Sequence, residues 1–165
     1  MSKRLKSCVA VALWVAARAF AATAATGGAV LPEHANEAEA QEMVKKAVAL
    51  IKSAGPESAY KTFTEHPGGA FKDRDLYIFV YDFDGNCLAQ GANPKMVGKN
   101  LIGLKDTDGN ELIKGEIALV KGQGSGWYGP YKFSNPVTGK IETKRSFCMR
   151  GAGDSMVCAG VYSGH

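Results

Sequence analysis

At 165 residues the chain has room for one domain with one proper core. Its 20 Lys and Arg against 16 Asp and Glu give a formal charge of +4, but Lys3, Arg4, Lys6 and Arg18 all precede the first acid, Glu33. Setting those four aside leaves 16 basic residues against 16 acidic ones, with no basic stripe to hold phosphates, so nucleic acid is excluded as a partner.

The chain opens on a short basic stretch through Lys6, an uncharged and mostly apolar run from Ser7 to Ala17, and small residues with Ala-x-Ala spacing at Ala19-Phe20-Ala21 and Ala22-Thr23-Ala24. That order predicts a signal peptide over residues 1–25, with a run too short to span a bilayer comfortably. The reading that follows is a periplasmic or secreted protein. Lys3-Arg4 is not a twin-arginine start, so the passenger crosses unfolded and without a large preloaded cofactor. From Asn36, apolar residues recur at threes and fours (Ala40, Met43, Val44, Ala47, Leu50, Ile51, Ala54), which predicts a helix capped by Asn36 and stopped by Gly55. Pro56 suits the first turn of a second helix reaching about Glu65, and His66-Pro-Gly-Gly69 breaks the chain.

Leu76 to Tyr81 (LYIFVY) is a strand apolar at both parities, to be covered on both faces. A turn at Asp82-Phe-Asp-Gly85 leads to a short strand near Cys87 to Ala89, then a loop from Gly91 to Asp108 and a helical stretch near Glu111 to Lys121. Three strands finish the chain: Gly126 to Phe133, Ile141 to Arg150 and Met156 to Tyr162, joined by turns at Asn135–Gly139 and Gly151–Asp154. Two successive hairpins make an antiparallel meander. The expected fold is α+β and PAS-like, with N-terminal helices packed on a five-stranded antiparallel sheet in a single domain over residues 36–163.

Two acidic turns, Asp82–Gly85 and Asp106–Glu111, invite calcium. An EF-hand loop needs Gly at position six and Glu at twelve. Counting from Asp106 those places hold Glu111 and Ile117, and from Asp82 they hold Cys87 and Asn93. His34, His66 and His165 form no ligand spacing, no Gly-x-Ser-x-Gly elbow is present, and Gly122-Gln-Gly-Ser-Gly126 leads into a strand rather than a helix. The expectation is no metal, no cofactor and no catalytic machinery. If the last hairpin centres on Gly153, Cys148 and Cys158 fall opposite one another as a disulfide candidate, whereas a slip of one residue sends them to different faces. Cys87 is then a free, buried thiol.

Aromatic residues share strand parity at Tyr77, Phe79 and Tyr81, and again at Trp127, Tyr131 and Phe133, while Lys144 and Ser146 share a face on the strand beside Tyr131. Such a set lines either a pocket for a small anion or amino acid, with Lys144 as its counter-ion, or a plain aromatic core with Lys144 at a solvated edge.

The stretch LYIFVYDFDGNCLAQGANPKMVGKNLIGLKDTDG, followed by GSGWYGPYKFSNPVTGKIETKRSFC and VCAGVY, resembles the single Cache domain, an extracytoplasmic PAS-like sensor module of chemoreceptors and histidine kinases that also occurs as stand-alone exported proteins. The resemblance spans about Asn36 to Tyr162 and implies a pocket for small metabolites such as short carboxylates. Carried onto this chain, it puts Trp127, Tyr131, Phe133 and Lys144 in the aromatic-plus-Lys segment and Tyr77 and Phe79 in the first strand. The chain departs from that pattern at Gln90-Gly91, where His-Pro is frequent, and at Phe147, where Tyr is common. The implied function is a small-molecule sensor module acting through a receptor or histidine kinase partner, without a transmembrane segment after signal cleavage. The alternative is an interaction protein of the same fold with no ligand pocket.

Overall fold

The computed structural model describes residues 34–163. The expected signal peptide at 1–25 lies outside the described residues. Helix α1 (Glu37–Ala54) begins at a reciprocal cap: the Asn36 side chain accepts from Glu39 N at 3.0 Å, and the Glu39 carboxylate accepts from Asn36 N at 2.8 Å. Its buried stripe is Ala40, Met43, Val44, Ala47, Val48 and Ile51, one face at helical period. Gly55, at φ 82°, ends α1 and admits α2 (Pro56–Glu65), which buries Ala59 and Phe63.

The chain does not simply break at residues 66–69. A one-turn helix, α3 (Gly68–Phe71), runs into a two-residue strand, β1 (Lys72–Asp73), which pairs with β2 (Leu76–Asp82). The sheet therefore has six strands rather than five. The others are β3 (Cys87–Gln90), β4 (Ser125–Ser134), β5 (Ile141–Arg150) and β6 (Ser155–Ser163), all antiparallel, in the order β1-β2-β6-β5-β4 with β3 also on β2. Helix α4 (Leu112–Gln123) follows a long loop that contains a 3-10 turn at Pro94–Met96.

Helix α1 crosses β2, β5 and β6, and α2 lies on β3; α4 covers β4 and β5 on the opposite face. The strands alternate accordingly. Leu76, Ile78, Val80, Val157 and Ala159 belong to the core under α1 and α2. Tyr77, Phe79, Tyr81, Met156 and Cys158 belong to a second core under α4. Among the described residues no helix is long and apolar enough to cross a membrane.

Candidate ligand-binding site

The α4 face of the sheet carries an unusual load of buried polar groups. From β5 it receives Lys144, Ser146 and Cys148, which alternate with outward or α1-facing neighbours. From β4 come Tyr131 and Phe133, from β6 Cys158 and Tyr162, and from α4 Ile113, Glu116 and Ile117. Cys148 pairs directly with Cys158, Cα atoms 4.2 Å apart, and the two sulfurs are bonded. The Glu116 carboxylate lies within 4.8 Å of both sulfurs, but sulfurs bonded to each other offer no thiolate to a metal.

Lys144 is only 2% exposed. Its Nζ donates to the Tyr77 hydroxyl at 2.8 Å and sits 4.4 to 5.0 Å from the ring centroids of Tyr77, Phe79, Phe133 and Tyr162. Four π faces thus stand in for water around a buried ammonium. Tyr162 donates to Ser134 O at 3.0 Å, so in the 3.1 Å contact between the two tyrosines Tyr77 donates and Tyr162 accepts. The relay Lys144–Tyr77–Tyr162–Ser134 orients the amine. Gly160 makes the space for it: a β-carbon there would collide with the Lys144 stem.

Glu116 is 1% exposed and faces the same space. Tyr131 donates to its Oε1 at 3.1 Å and is itself 2.6 Å from Ser146 Oγ, while Oε2 is buried with no hydrogen-bond partner. Burial pushes its carboxyl up to about 7, against the opposing pull of the Lys144 charge and of the Tyr131 and Ser146 hydroxyls. No ion pair joins Lys144 to Glu116 among the described residues. The neighbouring phenols of Tyr131 and Tyr81 are pushed up in the same way by burial. The Cys87 thiol, 1% exposed and pushed up to about 11 by burial, is an inert packing group.

Between these groups lies a cavity of about 20 Å³, room for about one water. Its walls include Tyr77, Gln90 and Phe133, which also line an outer cleft of about 320 Å³ with Ala92, Asn93 and Met96.

Of the residues singled out in the sequence, the structure gathers Tyr77, Phe79, Tyr131, Phe133 and Lys144 around this cavity. Trp127 is a correction. It packs on the α1 face against Phe147, centroids 5.4 Å apart, and under Arg145. The cause is a bulge: Tyr128 pairs with Ser146 and Tyr131 with Lys144, three steps on β4 against two on β5. One extra residue reverses the parity. Gly129, at φ 115°, and Pro130 supply it. Phe147 turns to the same side, so the hydroxyl it lacks is not missing from the cavity.

Glu116 and Gln90 were not picked out as site residues. Glu116 had a signal: it is the one charged residue on the stripe Leu112, Ile113, Ile117, Val120.

The chain matches the family model described as Single Cache domain 2 over residues 27–163. The sensor histidine kinase MctS of Rhizobium johnstonii is 40% identical over 74 residues, which is 45% of this chain but 16% of the kinase. The chain thus matches about a sixth of that relative's length. Among solved structures, a methyl-accepting chemotaxis protein from Vibrio parahaemolyticus aligns with a TM-score of 0.63 at 23% identity, over 76% of this chain and 86% of that one. A Cache chemosensory domain, described for its recognition of carboxylic acids, aligns with a TM-score of 0.60 at 21% identity, over 74% of this chain and 84% of that one. The periplasmic sensor domain of a chemotaxis protein aligns at 0.58 and 21%, over 78% and 90%. At these identities the likeness is one of fold.

Proposed function

Because the chain belongs to the single Cache domain 2 family, a family of sensor domains, we propose that it is an exported sensor module that binds a small carboxylate beneath α4, with Lys144 as the counter-ion. The observation that carries this is the buried Lys144 ammonium, held by one hydrogen bond and four rings, with no carboxylate at ion-pair distance among the described residues. A buried charge with no counter-ion in contact is costly, and a bound anion is its natural complement. The carboxylic acids recognised by a domain of the same fold agree with that choice. Tyr77, Phe79, Tyr131 and Phe133 are the walls. The ligand enters from the outer cleft by displacing the shared wall of Tyr77, Gln90 and Phe133.

Export to the periplasm rests on the segment 1–25 read as a signal peptide. A signalling partner, a membrane receptor or histidine kinase, follows from the likeness to kinase and chemoreceptor sensor domains. Thermal unfolding against a panel of monocarboxylates, dicarboxylates, amino acids and amines tests the ligand. A ligand at 100 times its Kd adds about 2.7 kcal/mol, and the monocarboxylates are expected to give the largest rise. A flat response to every carboxylate would refute the reading. The narrowness of the cavity favours one rival, an interaction domain with a filled core, and a flat panel is what that rival predicts.

A further inference from the structure

The cavity holds an acid as well as a base, and the two are not in ion-pair contact. Glu116 Oε2 is buried and unpaired, while Lys144 spends one hydrogen bond on Tyr77 and turns its remaining charge to aromatic rings. Of the residues lining the cavity, Lys144 and Glu116 are the two that can carry charge near neutral pH. An anion entering beside an ionised Glu116 would put two negative charges and one positive in an apolar space. Two carboxylates at such quarters do not both ionise; they share a proton. Resting on the ligand reading above, we infer that Glu116 meets the bound monocarboxylate as an undissociated acid and hydrogen-bonds to it through the proton kept on Oε2, so that the site takes up one proton with its ligand and admits one negative charge.

The balance is simple: one ligand anion and one solvent proton enter, and the cavity goes from neutral (ammonium plus carboxylate) to neutral (ammonium, carboxylic acid, ligand anion). No bond other than the O–H of Glu116 is made. A dianion has no second cation to meet and is rejected. The surroundings leave the titration to Glu116. From β4 it faces Tyr131 and Tyr128, from β2 Tyr81 and Tyr77, all phenols. From β5 it faces Lys144 and Ser146, and across β5 and β6 the bonded Cys148 and Cys158. On α4 itself, Lys114 is exposed and paired with Glu111 at the helix start, and Lys121 lies over Phe83. Burial raises the Glu116 carboxyl towards neutrality, which makes the exchange observable there.

The test is calorimetric titration of the full chain with sodium propionate from pH 6 to 8.5, in pairs of buffers with different ionisation enthalpies. The expected result is uptake approaching one proton per propionate at the top of the range, with Kd rising about tenfold per pH unit above about pH 7 and levelling towards pH 6. Glu116→Gln, which keeps an N–H donor at that place, should bind propionate with a pH-independent Kd and no proton uptake. Wild-type binding that ignores both pH and buffer would overturn the inference while sparing the ligand site. So would a Glu116→Gln variant with the wild-type slope. Propionate that binds neither protein at pH 6 overturns this inference, while the ligand reading stands or falls on the full carboxylate panel. The wild-type buffer comparison stands alone should the variant fold poorly.

Discussion

The two faces of one sheet are built to different ends from alternate residues of the same strands. On β2, Leu76, Ile78 and Val80 meet α1 and α2 in a core of aliphatic side chains and Phe63. One residue away along the same strand, Tyr77, Phe79 and Tyr81 meet α4 in a core that also buries a lysine, a glutamate, a serine and a disulfide. Burying apolar area drives folding at roughly 25 cal/mol per Å², and the α1 face does this with no buried side-chain polar atom left unpaired among the described residues. The α4 face carries one unsatisfied carboxylate oxygen and an ammonium stabilised mainly by π faces, a poor arrangement for stability and a good one for a ligand. The difference teaches where to look for function: in the core that folds less economically.

Four perturbations test this contrast. Ile78→Ala, on the α1 face, should cost about 2–5 kcal/mol in chemical denaturation and leave ligand affinity unchanged. Lys144→Met should do the reverse: Kd for a small monocarboxylate rises at least about a hundredfold by calorimetry, while stability stays level or improves, as when a buried charge is exchanged for a well-packed apolar group.

The third perturbation is pH. Because the folded Glu116 carboxyl titrates near 7 and the unfolded one near its ordinary value of 4.5, the unfolded chain holds fewer protons between those points. Raising pH therefore lowers stability through that window, and the loss is complete once pH passes about 7. Tm of the wild type should fall relative to Glu116→Gln between pH 5 and 7.5, and a parallel pair of curves would remove Glu116 from the account. The smallest effect belongs to Tyr162→Phe. It deletes the hydroxyl that donates to Ser134 O and accepts from Tyr77, costing about 1 kcal/mol and a modest loss of affinity as Tyr77 loosens its hold on Lys144.

Much of this was legible in the residues. Asn36 and Gly55 bounded α1, the doubly apolar LYIFVY run marked a strand covered on both faces, and Lys144 fell on the strand beside Tyr131, while the register that sets Cys148 opposite Cys158 was one of two left open. What strand parity could not carry was the bulge at Gly129-Pro130, which moved Trp127 to the other face. Two short elements, α3 and β1, were also missed, because four and two residues give no period to read. Glu116 escaped for a different reason. Its place on an apolar helix stripe marks it for burial, but that the facing strand brings a lysine into the same cavity is a matter of tertiary packing alone.

The most direct measurement is a crystal structure of the chain grown at pH 6 with propionate. The account predicts one propionate under α4, a carboxylate oxygen within hydrogen-bonding reach of Lys144 Nζ and another beside Glu116 Oε2, with the wall of Tyr77, Gln90 and Phe133 moved aside. Propionate seated in the outer cleft alone, with the inner cavity still closed around Lys144, would contradict it.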